Sequence, residues 1–548
     1  MNKDKGVKKH FIFLTLATVA LLLITSFFVG KLVYLRLGNF MAVKDYVLKI
    51  YRNNGYDLDY NDESQALVSI KGFEEDNNQI YAPEEVEMEY TVEDLYGDSF
   101  YNFNGLPTKG DANMLVVPIV IPGYEEYATN EALEVIQNGF FGREHNGDES
   151  VSSFYYKSSY GQLNLGGAVL PWYKSFKFLN SNDIQSPSNI YEIVQEALHW
   201  FRIDTSKFDL NRDGYIDAIY VIYSAPTWKQ EPSLNSNYWA WTTSLLNVLP
   251  DDKHQGMNNL SFASIFFLKE RKRAAESHVN VIIHETGHLL GLSDYYDTYY
   301  QSNPLGQCEI MDFGIGDLNA YSKMLLGWQK PYVVLGNGVV NLDSILTRNN
   351  FFVVLDDEYV PRFNAKGQLL FNPFSEYILG EHYKNVGLHR KPSMDGYDGV
   401  FDIDGQGIKL YHVDSRLFKL EESSVSDAST INEIDLTKNK YIRLVNNTSG
   451  GSKSERNILN RNDLSYENID NAWNEILLID ATNQSNFIEG GHFVYATKEA
   501  LFMEGDVFSI DSYNQKYYFP GTTSGGPNEL VFNNGNKFSK TIAIDALL

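Results

Sequence analysis

The sequence predicts an α+β protein in which a twisted sheet with flanking helices is followed by a β-rich, sandwich-like region. Three observations carry that reading. Between residues 112 and 345, short apolar runs alternate with segments whose apolar residues recur at helical spacing. After residue 345 the chain turns to short strand-like runs separated by Gly, Asn and Asp. Ahead of both, an uncharged stretch over residues 11–30 follows four lysines and predicts an N-terminal membrane-anchor helix.

That stretch is 20 residues long. A membrane-crossing helix needs about 20 apolar residues, whereas a signal-peptide core has roughly 7–15. Lys3, Lys5, Lys8 and Lys9 hold the N-terminus inside, which places everything after Lys31 outside the cell. A cleaved signal followed by secretion is the alternative, with Ile24-Thr25-Ser26 a weak cleavage candidate. Residues 1–38 are therefore read as a signal anchor or signal peptide. Residues 39–111 are rich in Asp, Glu, Asn and Tyr, with an acidic run at 84–89, and read as a stalk or pro-segment.

Residues 115–121 form an apolar run expected of a buried strand, and Pro118 within it marks an edge or a bulge. Residues 129–140 read as a helix. A stronger helix opens at Ser186-Pro187, with proline at the first helical position. Ile190, Ile193, Val194, Ala197, Leu198 and Phe201 then fall on one face. Residues 218–225 read as a strand. Further on, 352–355, 407–413, 441–445, 475–479 and 541–544 read as the strands of the sandwich-like region, 346–548.

Composition bounds the function. Hydrophobic residues at 43% and aromatics at 14% supply large cores, and 548 residues call for more than one. The net charge of −26 repels phosphate backbones, so nucleic acid is excluded as a partner class. Cys308 is the single cysteine, so no internal disulfide forms and no cysteine in 39–111 can latch a metal.

Residues 284–294 read His-Glu-Thr-Gly-His-Leu-Leu-Gly-Leu-Ser-Asp. Histidines four apart on a helix lie one turn apart on the same face, so His284 and His288 can reach one zinc ion. Glu285 stands beside the first ligand, where a general base is needed. Gly291 suits a left-handed helix terminus, and the turn it allows brings Asp294 back as a third ligand. Three protein ligands leave one coordination position open, as catalytic zinc requires. Met311 follows the third ligand by seventeen residues, a position suited to the methionine turn that metzincin peptidases place beneath their metal.

This constellation resembles the immune-inhibitor-A-like secreted metallopeptidases of bacteria, whose motif H-E-x-x-H-x-x-G-x-x-D is unbroken here. Further stretches are similar to that group. They are the segment at 152–163, Pro171-Trp172-Tyr173, Asn319-Ala320-Tyr321-Ser322-Lys323, Leu326-Gly327-Trp328, Glu376-Tyr377-Ile378-Leu379 and Leu410-Tyr411-His412-Val413-Asp414. The resemblance covers about residues 112–420. It implies a metzincin-like catalytic domain at 112–345, Zn2+-dependent hydrolysis of protein or peptide substrates, and bound Ca2+. An N-terminal anchor departs from the secreted form and implies a cell-surface enzyme tied to the membrane.

Residues 209–217 read Asp-Leu-Asn-Arg-Asp-Gly-Tyr-Ile-Asp. Asp209, Asn211, Asp213 and Asp217 occupy positions 1, 3, 5 and 9 of an EF-hand-like loop, with the Tyr215 carbonyl at position 7. Position 12 is Tyr220 rather than Glu, and a strand follows instead of a helix, so this is read as a calcium loop on a hairpin. His412, His278, Glu276, Tyr295 and Tyr321 carry no such pattern; of these, Tyr321 is considered as an oxyanion stabiliser, with Tyr295 a comparable outsider. A catalytically silent cell-surface binding or adhesion protein on the same scaffold is the rival expectation.

Overall fold

The computed structural model describes residues 50–52, 55–58, 61–72, 79–91, 105–142, 149–175, 186–234, 238–243, 255–269, 279–297, 303–355, 359–372, 376–389, 403–415, 417–419, 441–443, 447, 475–482, 487–489, 492–509 and 538–548. The expected anchor at 11–30 lies outside the described residues, as do Glu276 and His278. Among the described residues, no helix is long and apolar enough to cross a membrane.

The main elements, in chain order, are β1 (Ala66–Lys71), β2 (Gly110–Ile119), α1 (Asn130–Phe141), α2 (Val151–Ser158), β3 (Leu163–Val169), α3 (Pro187–Phe201), β4 (Ala218–Tyr223), β5 (Trp241–Thr243) and β6 (Leu260–Ser264). They continue with α4 (Asn280–Leu289), α5 (Ala320–Leu325), β7 (Tyr332–Val334), β8 (Gly338–Leu342), β9 (Phe351–Leu355), β10 (Glu376–Lys384), β11 (Gln406–Asp414), β12 (Ile476–Ile479) and β13 (Thr541–Leu547). The protein is mixed α+β, with more strands than helices.

The first sheet runs β3-β2-β4-β6-β5. Its first four strands are parallel, and β5 is an antiparallel edge on β6. Both faces of β2 and β4 are covered, which is why their side chains are apolar in succession rather than alternately. Leu115, Val117, Ile219 and Val221 pack with Ile190, Ile193, Val194 and Ala197 of α3. Met114, Val116, Tyr220 and Ile222 face the other way, with Ile136 of α1, Phe154 of α2 and Ile282 of α4. Each fully buried aliphatic of this kind contributes about 1.5–3 kcal/mol.

Two predicted helices are found nearly as read. The Thr129 hydroxyl caps α1 by accepting from the Ala132 N–H at 3.1 Å. Proline opens α3, and its helix ends where Arg202 turns left-handed at φ 52°. Pro118 differs from expectation: it lies inside the central strand β2, buried and paired with Ile222 of β4. The β2–β3 ladder ends at Val116 and Val169, and β2 is rejoined only when Tyr173 donates to the Pro118 carbonyl at 2.8 Å. Pro118's missing N–H points to that interruption, so no ladder bond is lost.

The two largest further sheets form the core of the β-rich region. A six-stranded sheet runs β12-β11-β10-β9-β7 and ends on Ile80–Tyr81. A four-stranded sheet runs β8-β1-β13 and ends on Val507–Phe508. Phe352 and Val354 of β9 point into the core between these sheets, with Val68, Ile70 and Ile542. Phe351, Val353 and Leu355 point the opposite way, into the core that also holds α4 and α5. The six-stranded sheet is thus shared: one face closes the sandwich and the other supports the helical layer.

Strand pairing runs across the bounds expected at 111 and 345. β1, inside the segment read as a stalk or pro-segment, is a central strand with neighbours at Gly338–Leu342 and Thr541–Leu547. Val86–Met88 pairs in parallel with Leu369–Phe371. β7 and β8 lie before residue 345 yet belong to the β-rich sheets. Such long-range partners are set by side-chain fit across the sheet, which composition along the chain does not record.

Candidate metal centre

Helix α4 begins at Asn280 and buries Ile282, Ile283, Thr286 and Leu289. Tyr155 of α2 donates to the Ile283 carbonyl at 2.6 Å and ties the helix to its neighbour. The C-terminus closes as the glycine pattern requires. Gly291 has φ 93° and its N–H reaches the His288 carbonyl at 2.9 Å, while the Leu292 N–H reaches that of Gly287 at 3.0 Å. This is a Schellman turn, and it swings Ser293 and Asp294 back over the helix.

His284 Nε2 lies 3.0 Å and His288 Nε2 lies 3.2 Å from the same Asp294 carboxylate oxygen. Among the described residues, this is the one group of three or more His, Cys, Asp or Glu donor atoms lying within 4.8 Å of one another. Each ring is fixed from behind: His284 Nδ1 donates to the Ile310 carbonyl at 2.7 Å, and His288 Nδ1 to the Leu292 carbonyl at 2.8 Å. A carbonyl only accepts, so in the neutral rings Nδ1 carries the proton and the Nε2 lone pairs face Asp294. Ligands on tetrahedral zinc, with bonds of about 2.0 Å, are about 3.3 Å apart. The spacing and the donor set fit that ion.

Electrostatics agree with a site built around positive charge. Burial pushes the Asp294 carboxyl up, but the two histidines outweigh it and hold the group well below the usual carboxylate range. Burial pulls His288 down, and Asp294 outweighs this in turn and lifts it to about 9. Glu285 is 6% exposed. Its pKa is raised, by burial first, against the pull of both histidines and a hydrogen bond from Thr242.

The cluster opens on a cleft of about 560 Å³. Trp239, Tyr296, Phe313 and Ile315 are among its lining residues, as is Trp241, whose ring packs on Phe262 on the α3 side of the sheet. The Tyr296 ring stacks between His284, at 6.1 Å, and Phe313, at 4.3 Å. Met311 lies beneath the helix, where a Cβ on Gly287 would collide with its sulfur. Its carbonyl accepts from the Tyr295 N–H at 2.8 Å, which joins the methionine segment to the segment bearing the third donor.

Other residues singled out in the sequence fall elsewhere. The Tyr321 hydroxyl bonds Ser415 and, at 2.9 Å, Glu475, so it does not reach the cleft as an oxyanion stabiliser would. Tyr295 contacts Ser322 at 3.0 Å and is fully buried. His412 pairs with Glu376 at 2.9 Å within the β-rich sheet. Cys308 is buried and donates to the Leu305 carbonyl at 3.0 Å.

The acidic loop does not gather its carboxylates as the histidine helix does. Asp213 accepts from the Tyr215 N–H at 2.8 Å and from Asn211 Nδ2 at 3.0 Å. Asp217 accepts from the Asn113 N–H at 2.8 Å and anchors the start of β4 to β2. Burial raises its pKa to about 7, and burial and then Asp213 raise that of Asp209.

Asp312 and Thr242 were not found from sequence. Asp312 lines the cleft, is 2% exposed and is lifted by burial to about 7; its place beside Met311 was the available signal. Thr242 carries no motif. No family profile matches the chain and no curated protein matches it.

Proposed function

We propose that the chain is an extracellular, zinc-dependent endopeptidase with a metzincin-like catalytic domain, acting on protein or peptide substrates. The convergence of His284, His288 and Asp294 on one point, with both Nδ1 atoms tied to carbonyls, is the observation that carries this reading. The unbroken motif and its resemblance to immune-inhibitor-A-like peptidases support it, and so does the cleft of about 560 Å³ on which the cluster opens.

In this mechanism His284, His288 and Asp294 hold the metal. When bound, zinc supplies Lewis-acid chemistry, polarising a carbonyl and lowering the pKa of water towards neutrality. Glu285 takes the proton of the attacking water and passes it to the leaving amine. Burial raises its pKa against the pull of both histidines, and a carboxyl so shifted takes up a proton more readily than an ordinary one before passing it on. Met311 and Gly287 support the helix from below, and Gly291 sets the turn that delivers Asp294. The aromatic walls of the cleft bind apolar side chains and exclude water.

The experiment is casein hydrolysis by the purified chain before and after treatment with a zinc chelator. Loss of hydrolysis, with recovery on adding zinc and none on adding calcium, is expected. Hydrolysis that survives complete zinc removal contradicts the reading.

A further inference from the structure

Three neighbouring strands of the first sheet set a row of hydroxyls beneath α4. Tyr220 of β4 pairs with Ser261 of β6, and Ser261 pairs with Thr242 of β5. Residues paired across adjacent strands point to the same face. Here it is the face on which α4 lies: Tyr220 shares a core with Ile282, Ile283 and Leu289. Thr242 Oγ1 is 2.7 Å from Ser261 Oγ and 2.8 Å from Glu285 Oε2, with the Glu285 carbonyl oxygen at 3.2 Å. Ser261 is fully buried, and the Tyr220 hydroxyl is buried with no hydrogen-bond partner among the described residues.

The direction of these bonds follows from proton counting. A carboxylate oxygen accepts, and a hydroxyl has one proton to give. Thr242 therefore donates to Glu285, and its lone pairs are left to accept from Ser261. A hydrogen bond to a charged acceptor is the stronger kind, and the bond from Ser261 polarises it further. Glu285 has several rotatable bonds and sits in a cleft. A base must be held within hydrogen-bond reach of its proton, and a misplacement of about 1 Å can lower the rate about a hundredfold.

We propose that Thr242, aligned by Ser261, is a positioning residue for Glu285, fixing Oε2 so that Oε1 is the oxygen that handles the proton. The inference rests on the role given to Glu285 above. The structural alternative is that the Thr242–Ser261 pair satisfies its own hydroxyls within the edge of the sheet, where threonine is a common residue. In that case the contact with Glu285 is incidental.

Two variants separate these. Thr242→Val keeps shape and strand preference and removes the donor; Thr242→Ser restores the donor. Thr242→Val is expected to lower kcat about tenfold to a hundredfold, with KM held within about twofold and zinc content unchanged, and Thr242→Ser to recover most of the loss. Crystal structures of the metal-free proteins give a readout independent of turnover. The Glu285 carboxyl should keep one orientation in the parent and in Thr242→Ser, and turn away in Thr242→Val. A carboxyl that keeps its orientation in Thr242→Val overturns the inference, whether or not hydrolysis is detected. Unchanged kcat in Thr242→Val, beside an inactive Glu285→Ala, also overturns it while leaving the base in place. Full activity in Glu285→Ala overturns the base instead.

Discussion

The histidine helix and the acidic loop at 209–217 both carry a metal-binding spacing, and the fold treats them differently. On α4 the backbone does the gathering. The helical period stacks His284 over His288, and the turn at Gly291 returns Asp294 to within 3.2 Å of both rings. In the loop, the spacing only brings residues near one another, and each carboxylate's aim is a rotamer choice. Asp213 turns to Tyr215 and Asn211, and Asp217 turns to Asn113 and, at 3.3 Å, Leu210. In this structure the helical motif brings its three donors together, whereas the loop's carboxylates are engaged with local backbone and side-chain donors.

The largest effect that could break this comparison is loss of a helical donor. His288→Ala should reduce zinc from about one ion per chain to a trace, because two remaining donors do not make a zinc site. Asp213→Asn should leave zinc untouched. Elemental analysis of both proteins decides; equal zinc in the two would mean that the metal sits elsewhere.

Next in size is the support beneath the helix. Gly287→Ala drives a methyl group into the Met311 sulfur and should destabilise the protein by about 1–3 kcal/mol in denaturant unfolding. An unchanged midpoint would show that the methionine segment yields easily and does not brace α4.

The smallest effect concerns the loop. Burial lifts Asp217 from 3.8 to about 7, so the folded chain holds this proton more tightly than the unfolded chain does. The contribution to stability is therefore present at low pH and is lost as pH rises from about 4 to about 7, with no further change above. A cation at the loop opposes that loss. At pH 8 and fixed zinc, calcium is expected to raise the melting midpoint by about 2–4 °C, and to do so less in Asp209→Asn. A midpoint indifferent to a calcium-selective chelator would remove calcium from the loop.

These contrasts also show what the chain reveals when read along its length. α1, α3 and α4 were legible because caps, proline and a 3.6-residue period are local features, and His284, His288, Asp294 and Glu285 follow from one of them. β1 was hidden. Ala66, Val68 and Ile70 alternate as a strand should, but their partners stand at 338–342 and 541–547, and the acidic surroundings suggested a stalk. Pro118 misled for a similar reason: its rule concerns a missing N–H, and only the path of β3 shows that nothing there needs one. Thr242 lies on a three-residue edge strand and matters only because Glu285 lies above it.

The most direct measurement of the central claim is casein hydrolysis by the parent protein and by Glu285→Ala, with zinc determined on both. About one zinc in each, with hydrolysis by the parent and a loss of at least about a hundredfold in the variant, is the predicted result. Equal hydrolysis by the two, or a parent that binds no zinc, would contradict it.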